Sequence, residues 1–164
     1  MPTVTKSDAL LDYLLVLFRG SSTLADLGST INKPLAKTLI LEGPPEGSVT
    51  DAVLVSVGAL DDQAEQDNAV RFTQEWGSLG GGRRDEEIWI ECIILAQNFS
   101  IANNVRTRVY ALLDVIAELI RVNFMADGLV MHMEMQAGGY TPLWTGSGFQ
   151  GRMAFTVHAE AQLT

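Results

Sequence analysis

From Arg152 to Leu163 the chain alternates without a slip. Met153, Phe155, Val157, Ala159, Ala161 and Leu163 occupy one phase, and Arg152, Thr156, His158, Glu160 and Gln162 the other. Successive side chains of a β-strand point to opposite faces, so this run specifies a strand with one apolar face. A one-residue slip would turn that whole set to water, so the register is strongly specified. Such a strand needs partners on its edges and an apolar cover over its face.

The cover is written as two helices. In Ser100–Arg121, Ile101, Val105, Val109, Leu112, Ile116, Leu119 and Ile120 fall on one stripe, with Thr107, Tyr110, Asp114, Glu118 and Arg121 opposite. A stripe this wide suits a helix lying on a sheet. Near the N-terminus, Ser7 before Asp8 predicts a capped helix start. Leu11, Leu14, Leu15 and Phe18 then recur at helical spacing, and Gly20 is placed to end the helix in a left-handed cap. Ser21–Pro34 reads as loop with a short helical turn, and Thr38–Leu41 as a brief strand.

The partners are further strands. Val53, Val55 and Val57 alternate, as do Val70, Phe72 and Trp76 against Arg71, Thr73 and Glu75. Ile88, Ile90, Cys92 and Ile94 alternate with Trp89, Glu91, Ile93 and Leu95, apolar on both faces for half their length, which predicts a central strand. Met131, Met133 and Met135 alternate with His132, Glu134 and Gln136. The expected strands cover 52–60, 69–76, 87–96, 130–137 and 151–163, and the main helices 7–19 and 100–121. Proline and glycine punctuate Glu42–Thr50. An acidic loop, Asp61–Asn68, and two glycine-rich loops, Gly77–Glu87 and Gly138–Gly151, make the other connections. The resulting fold class is α+β: a single, mostly antiparallel or mixed β-sheet with two main helices on one face. Residues 1–164 read as one domain, with no repeat and no linker.

Net charge is −9, from 20 acidic and 11 basic residues. DNA affinity normally requires clustered Lys and Arg, so a DNA-binding surface is not expected. The apolar run Ala9–Phe18 is broken by Asp12 and is too short for the ~20 residues a membrane span needs. Cys92 is the only cysteine. It allows no intramolecular disulfide and no cysteine-based zinc site, and it sits where buried cysteines act as small hydrophobes.

A search for chemistry assigns no catalytic residue, no metal ligand and no cofactor. Gly80-Gly81-Gly82-Arg83-Arg84 lacks the Gly-Lys-Ser/Thr ending of a phosphate loop and leads into a strand. It reads either as a flexible hairpin loop whose arginines offset Asp85, Glu86 and Glu87 or as a loop that orders on meeting a partner, and on the second reading Arg83 and Arg84 are assembly candidates. His132 and His158 lie on the polar phases of their strands. With Glu134 they would form a metal site only in a register that sequence does not supply, and the expectation is two surface histidines on a wet sheet face. There is no Gly-x-Ser-x-Gly elbow and no His-Glu-x-x-His pair. The loop carrying Tyr140, Trp144 and Phe149 reads either as a lid on the core or as an interface, and these three residues join the assembly candidates.

The strand Ile88–Ala96, the helix with Arg106-Thr-Arg-Val-Tyr-Ala-Leu-Leu-Asp-Val-Ile, the turn with Gly128 and the closing Phe155-Thr-Val-His-Ala-Glu-Ala-Gln-Leu resemble the tail terminator (tail completion) proteins of long-tailed phages. The N-terminal helix, Ser7–Phe18, fits the same layout, whereas Ser21–Thr50 has no counterpart. The resemblance implies a non-enzymatic virion protein, assembled in the host cytoplasm. Its expected partners are copies of itself in a hexameric ring, the tail tube protein and the head-neck connector. DNA would pass through the channel without specific binding, and no membrane is involved. The competing expectations are another neck or baseplate subunit of related fold, or a small-ligand binding module.

Overall fold

The computed structural model describes residues 5–30, 32–44, 52–60, 68–76, 84–99, 101–145 and 148–163. Its elements are α1 (Ser7–Arg19), α2 (Ser22–Ala25), β1 (Leu39–Glu42), β2 (Val53–Val57), β3 (Val70–Trp76), β4 (Arg84–Phe99), α3 (Ala102–Val122), β5 (His132–Thr145) and β6 (Gly148–Leu163). They form an α+β fold with one mixed sheet. Its order is β1-β2-β4-β6-β5, with β3 also on β4, and every pairing is antiparallel except β1 with β2.

β4 is the spine of the sheet. Along one edge it pairs with β6 over nearly its whole length. Along the other it has two partners in succession: β3 runs from Arg84 to Ile90, and β2 from Cys92 to Ala96. β2 and β3 are thus two halves of one strand line, interrupted opposite Glu91. The Glu91 carbonyl accepts the N–H groups of both Gly58 and Ala59, at 2.9 and 3.0 Å, and its own N–H donates to the Ala69 carbonyl at 2.8 Å. The chain leaves the sheet at Gly58 (φ +72°), a left-handed conformation that favours glycine, and returns at Ala69. The acidic connection predicted between β2 and β3 lies outside the described residues at 61–67, as do positions 45–51 of the segment between β1 and β2.

Both main helices pack on one face. Leu10, Leu14, Leu15 and Phe18 of α1 and Val105, Val109, Leu112, Ile116 and Ile120 of α3 form a single cluster with Val53, Val55, Val57, Ile88, Ile90, Ile94, Met133, Phe155 and Val157. Burying each such side chain is worth about 1.5–3 kcal/mol, so this cluster carries the fold. The α3 stripe matches its sequence pattern except at the start, where Ile101 is the N-cap and is exposed. Arg108 pins the segment after α2 to α3: its Nη1 donates to the carbonyls of Leu27 and Ser29, at 2.7 and 2.6 Å.

The ends of α1 differ from expectation. Ser7 is the first helical residue and not the cap. Its N–H donates to Thr5 Oγ1 at 3.1 Å, and the Lys6 N–H is taken at 2.8 Å by the carboxylate of Glu86 in β4. A distant buried acid therefore supplies an acceptor that the local sequence does not. Gly20 is right-handed (φ −80°, ψ −8°), because the chain turns at once into α2, which Ser21 caps through its side chain.

The largest correction concerns the last connection. Gly138–Gly151 is not a loop: β5 and β6 stay paired from His132↔Glu160 out to Thr145↔Gly148. A β-bulge between Gln136 and Gly138 shifts the register by one residue. Before the bulge Met133 and Met135 share a side of β5; after it Tyr140, Pro142 and Trp144 take that side. The inserted residue breaks the alternation, which is why the pattern stops at 137. β4 is likewise longer than expected and begins at Arg84, so 84–87 belong to a strand and not to the glycine-rich loop, whose remainder at 77–83 lies outside the described residues. Among the described residues no helix is long and apolar enough to cross a membrane.

Candidate functional site

The assembly candidates fall in different places. Arg83 lies outside the described residues. Arg84 is a strand residue, half-buried opposite Trp76, and its guanidinium donates to the Gln74 side-chain oxygen at 3.2 Å. Tyr140, Trp144 and Phe149 come together on the β5–β6 hairpin. Tyr140 lies half-buried opposite Met153, its ring 5.8 Å from that of Tyr110 on α3. It also lies over Gly151, where an added Cβ would sit 3.1 Å from the Tyr140 ring. Trp144 and Phe149 are direct cross-strand partners in an edge-to-face pair with centroids 4.6 Å apart. Phe149 is half-buried beneath, whereas Trp144 is 66% exposed and Leu143 beside it 41%.

This hairpin is also the longest stretch of the chain without charge. No Asp, Glu, Lys, Arg or His occurs from Met135 to Gly151. An exposed indole on an uncharged, backbone-paired support has the composition of an interface core. The support is stiff, since the ladder holds both strands to their last residues.

A second feature lies at the opposite end of β5. Between the last turns of α3 and the start of β5 is a groove of about 340 Å³ lined by Ala117, Ile120, Arg121, Phe124 and residues 132–135. Its floor is Met133 and Ile120, both buried. The Phe124 carbonyl accepts the Met133 N–H at 2.7 Å and closes the β5 edge there. Phe124 on its rim is exposed, as are Val122, Met125 and Met131 nearby in sequence.

The helix-free face carries a polar row across four strands. Register aligns Arg71 (β3), Trp89 (β4), His158 (β6) and Glu134 (β5). The Arg71 guanidinium lies 5.2 Å from the Trp89 ring centre, and Trp89 and His158 rings are 5.2 Å apart. His158 Nε2 is 3.2 Å from Glu87 and its Nδ1 is 3.6 Å from Glu134. In the next row Glu91 holds Arg71 at 3.3 Å and accepts the Thr156 hydroxyl at 2.7 Å. Gln136, followed by His132, holds the Glu134 carboxyl below the usual carboxylate range.

Here a second expectation is corrected. His132 is exposed as expected, but His158 is buried, because Trp89 lies over it and carboxylates flank both ring nitrogens. Register brings His132, His158 and Glu134 onto neighbouring positions. Even so, among the described residues no group of three or more His, Cys, Asp or Glu is arranged to hold a metal ion. Cys92 is buried, and burial pushes its thiol pKa far up, so it is no nucleophile. The row was not found from sequence because its members are up to 87 positions apart and meet only through register. The alternation did place Arg71, Glu134 and His158 on polar strand phases, whereas Trp89 fell on a strand read as apolar on both faces for half its length.

No protein-family model matches the chain, and no curated protein matches it either.

Proposed function

We propose that this chain is a structural subunit that assembles with copies of itself into a ring at the end of a phage tail tube. There it ends tube growth and presents a docking face to the head connector. The observation that carries the self-assembly part is the uncharged hairpin with Trp144 at its exposed end. Copies with a net charge of −9 repel one another at long range, so contacts between them are favoured where charge is missing. Aromatic residues are enriched in the buried cores of protein interfaces, where Trp supplies a large apolar contact area.

The tail role rests on the order of elements: an N-terminal helix, a sheet, a long helix and two closing strands. That order agrees with the layout the resemblance implies. The overall negative charge suits a channel wall that passing DNA does not stick to.

The test is electron microscopy of the purified protein alone and mixed with a phage tail tube protein. Rings, or caps on tube ends, are expected. Tubes that grow equally long with and without the protein would overturn the tail role.

A further inference from the structure

We propose that the groove between the end of α3 and the start of β5 receives Trp144 of a second copy, joining copies head to tail. This rests on the ring-subunit reading and adds the joint itself.

The groove and the indole are complementary in kind. The groove is apolar at its base, with Met133 and Ile120 buried and Ala117 and Met135 beside them. Methionine side chains adapt to an inserted ring and make favourable sulfur–aromatic contacts. Arg121, held at the rim by Glu118 at 2.8 Å, is positioned to lie against an indole face. A volume of about 340 Å³ gives room for one large aromatic side chain.

The occupant has to come from another molecule. Trp144 and Met133 lie on one strand, eleven residues apart. At about 3.3 Å per residue they are separated by roughly 36 Å, so a chain cannot fill its own groove. The bulge keeps both on the same side of β5, so projection and cavity open toward the same layer of the molecule. A second copy is favoured over a charged partner because residues 135–151 carry no charge, and the one cation on the groove rim among the lining residues, Arg121, is already paired with Glu118. A projection that fits a cavity elsewhere on the same surface gives a heterologous contact, which closes into a ring when the rotation permits.

The experiment places the photoreactive aromatic benzoylphenylalanine at position 144 of the full chain, which keeps a large ring there, and irradiates the assembled protein. The expected result is a ladder of covalent multimers longer than dimers. Peptide mass spectrometry should place the adducts on Ala117–Phe124 or His132–Met135. A ladder with adducts elsewhere, while microscopy still shows rings, would overturn the joint and leave the ring reading standing. A single dimer band would overturn head-to-tail joining in favour of a two-fold contact. Monomers under irradiation together with no rings would overturn both. A groove-filling variant, Ala117→Trp, checked for folding by thermal melting, is expected to remain monomeric; normal rings from it would contradict the proposal.

Discussion

Glu86 accepts the backbone N–H of Lys6 across 80 residues of sequence, at 2.8 Å, from a position that is 1% exposed. Its other oxygen accepts the Gln74 amide at 2.7 Å. One buried carboxylate thus ties the start of α1 to both β4 and β3. Glu86→Ala would remove the acceptor of both half-buried donors, at a cost of about 1–3 kcal/mol for each donor left without an acceptor or water. The expected outcome is a clear drop in melting temperature, smaller for Glu86→Gln, which keeps one acceptor. Equal melting of all three proteins would show that this tie contributes nothing.

Gly28 is constrained by a close approach of backbone. A Cβ there would lie 1.9 Å from the Thr38 nitrogen and 2.1 Å from the Lys37 carbonyl carbon. The same crossing is held by the Thr38 N–H to the Ala25 carbonyl at 3.0 Å. Gly28→Ala must push the 37–38 segment off α2, a cost of about 3 kcal/mol or more. Gly43→Ala serves as a control for positive φ without crowding, since nothing lies near its Cβ position. It should cost about 1 kcal/mol. Urea unfolding of the two variants ranks them.

Leu112 sits at the centre of the α3 stripe, fully buried. Leu112→Ala is expected to lower unfolding free energy by about 2–5 kcal/mol. Leu112→Asp should leave the chain unfolded in circular dichroism, because a buried carboxylate without a partner is far costlier. A folded Leu112→Asp protein would mean that the stripe does not face the sheet.

The Cys92 thiol is fully buried, and burial raises its pKa from an ordinary value near 9.0. The sign follows from proton counting. Above about pH 9 the unfolded chain releases this proton while the folded chain keeps it, so stability present below pH 9 is lost as pH rises. The loss is about 1.4 kcal/mol by pH 10. Cys92→Ala should remove that increment from the pH dependence, as measured by urea unfolding at pH 8 and pH 10. The native thiol should also react with thiol reagents only as fast as the protein unfolds.

Much of the architecture could be read from residue pattern. Arg152–Leu163 and the α3 stripe were readable because a single face of each is buried and nothing interrupts the period. The β5–β6 hairpin beyond Gln136 was not, because the bulge moves the apolar phase from Met133 and Met135 to Tyr140 and Trp144. The shared strand line of β2 and β3 depends on Glu91 exchanging one neighbour for another, which no local pattern records. The burial of His158 has the same origin: its polar phase is correct, and its cover is Trp89 on a neighbouring strand. Trp144 was identified by residue type, whereas its groove was not, since Ala117, Phe124 and Met133 are brought together by tertiary packing alone.

Trp144 carries the central claim, and mass measurement of the native protein across a concentration series, wild type beside Trp144→Ala, tests it most directly. Removing a 66%-exposed side chain should leave monomer stability within about 0.5 kcal/mol. It should weaken association about thirtyfold, as expected for a central aromatic anchor. The expected result is wild-type protein passing from monomer to a multimer larger than a dimer, with the variant lagging far behind. Two proteins that associate identically, or a wild type that stays monomeric at every concentration even with tail tube protein present, would contradict the account.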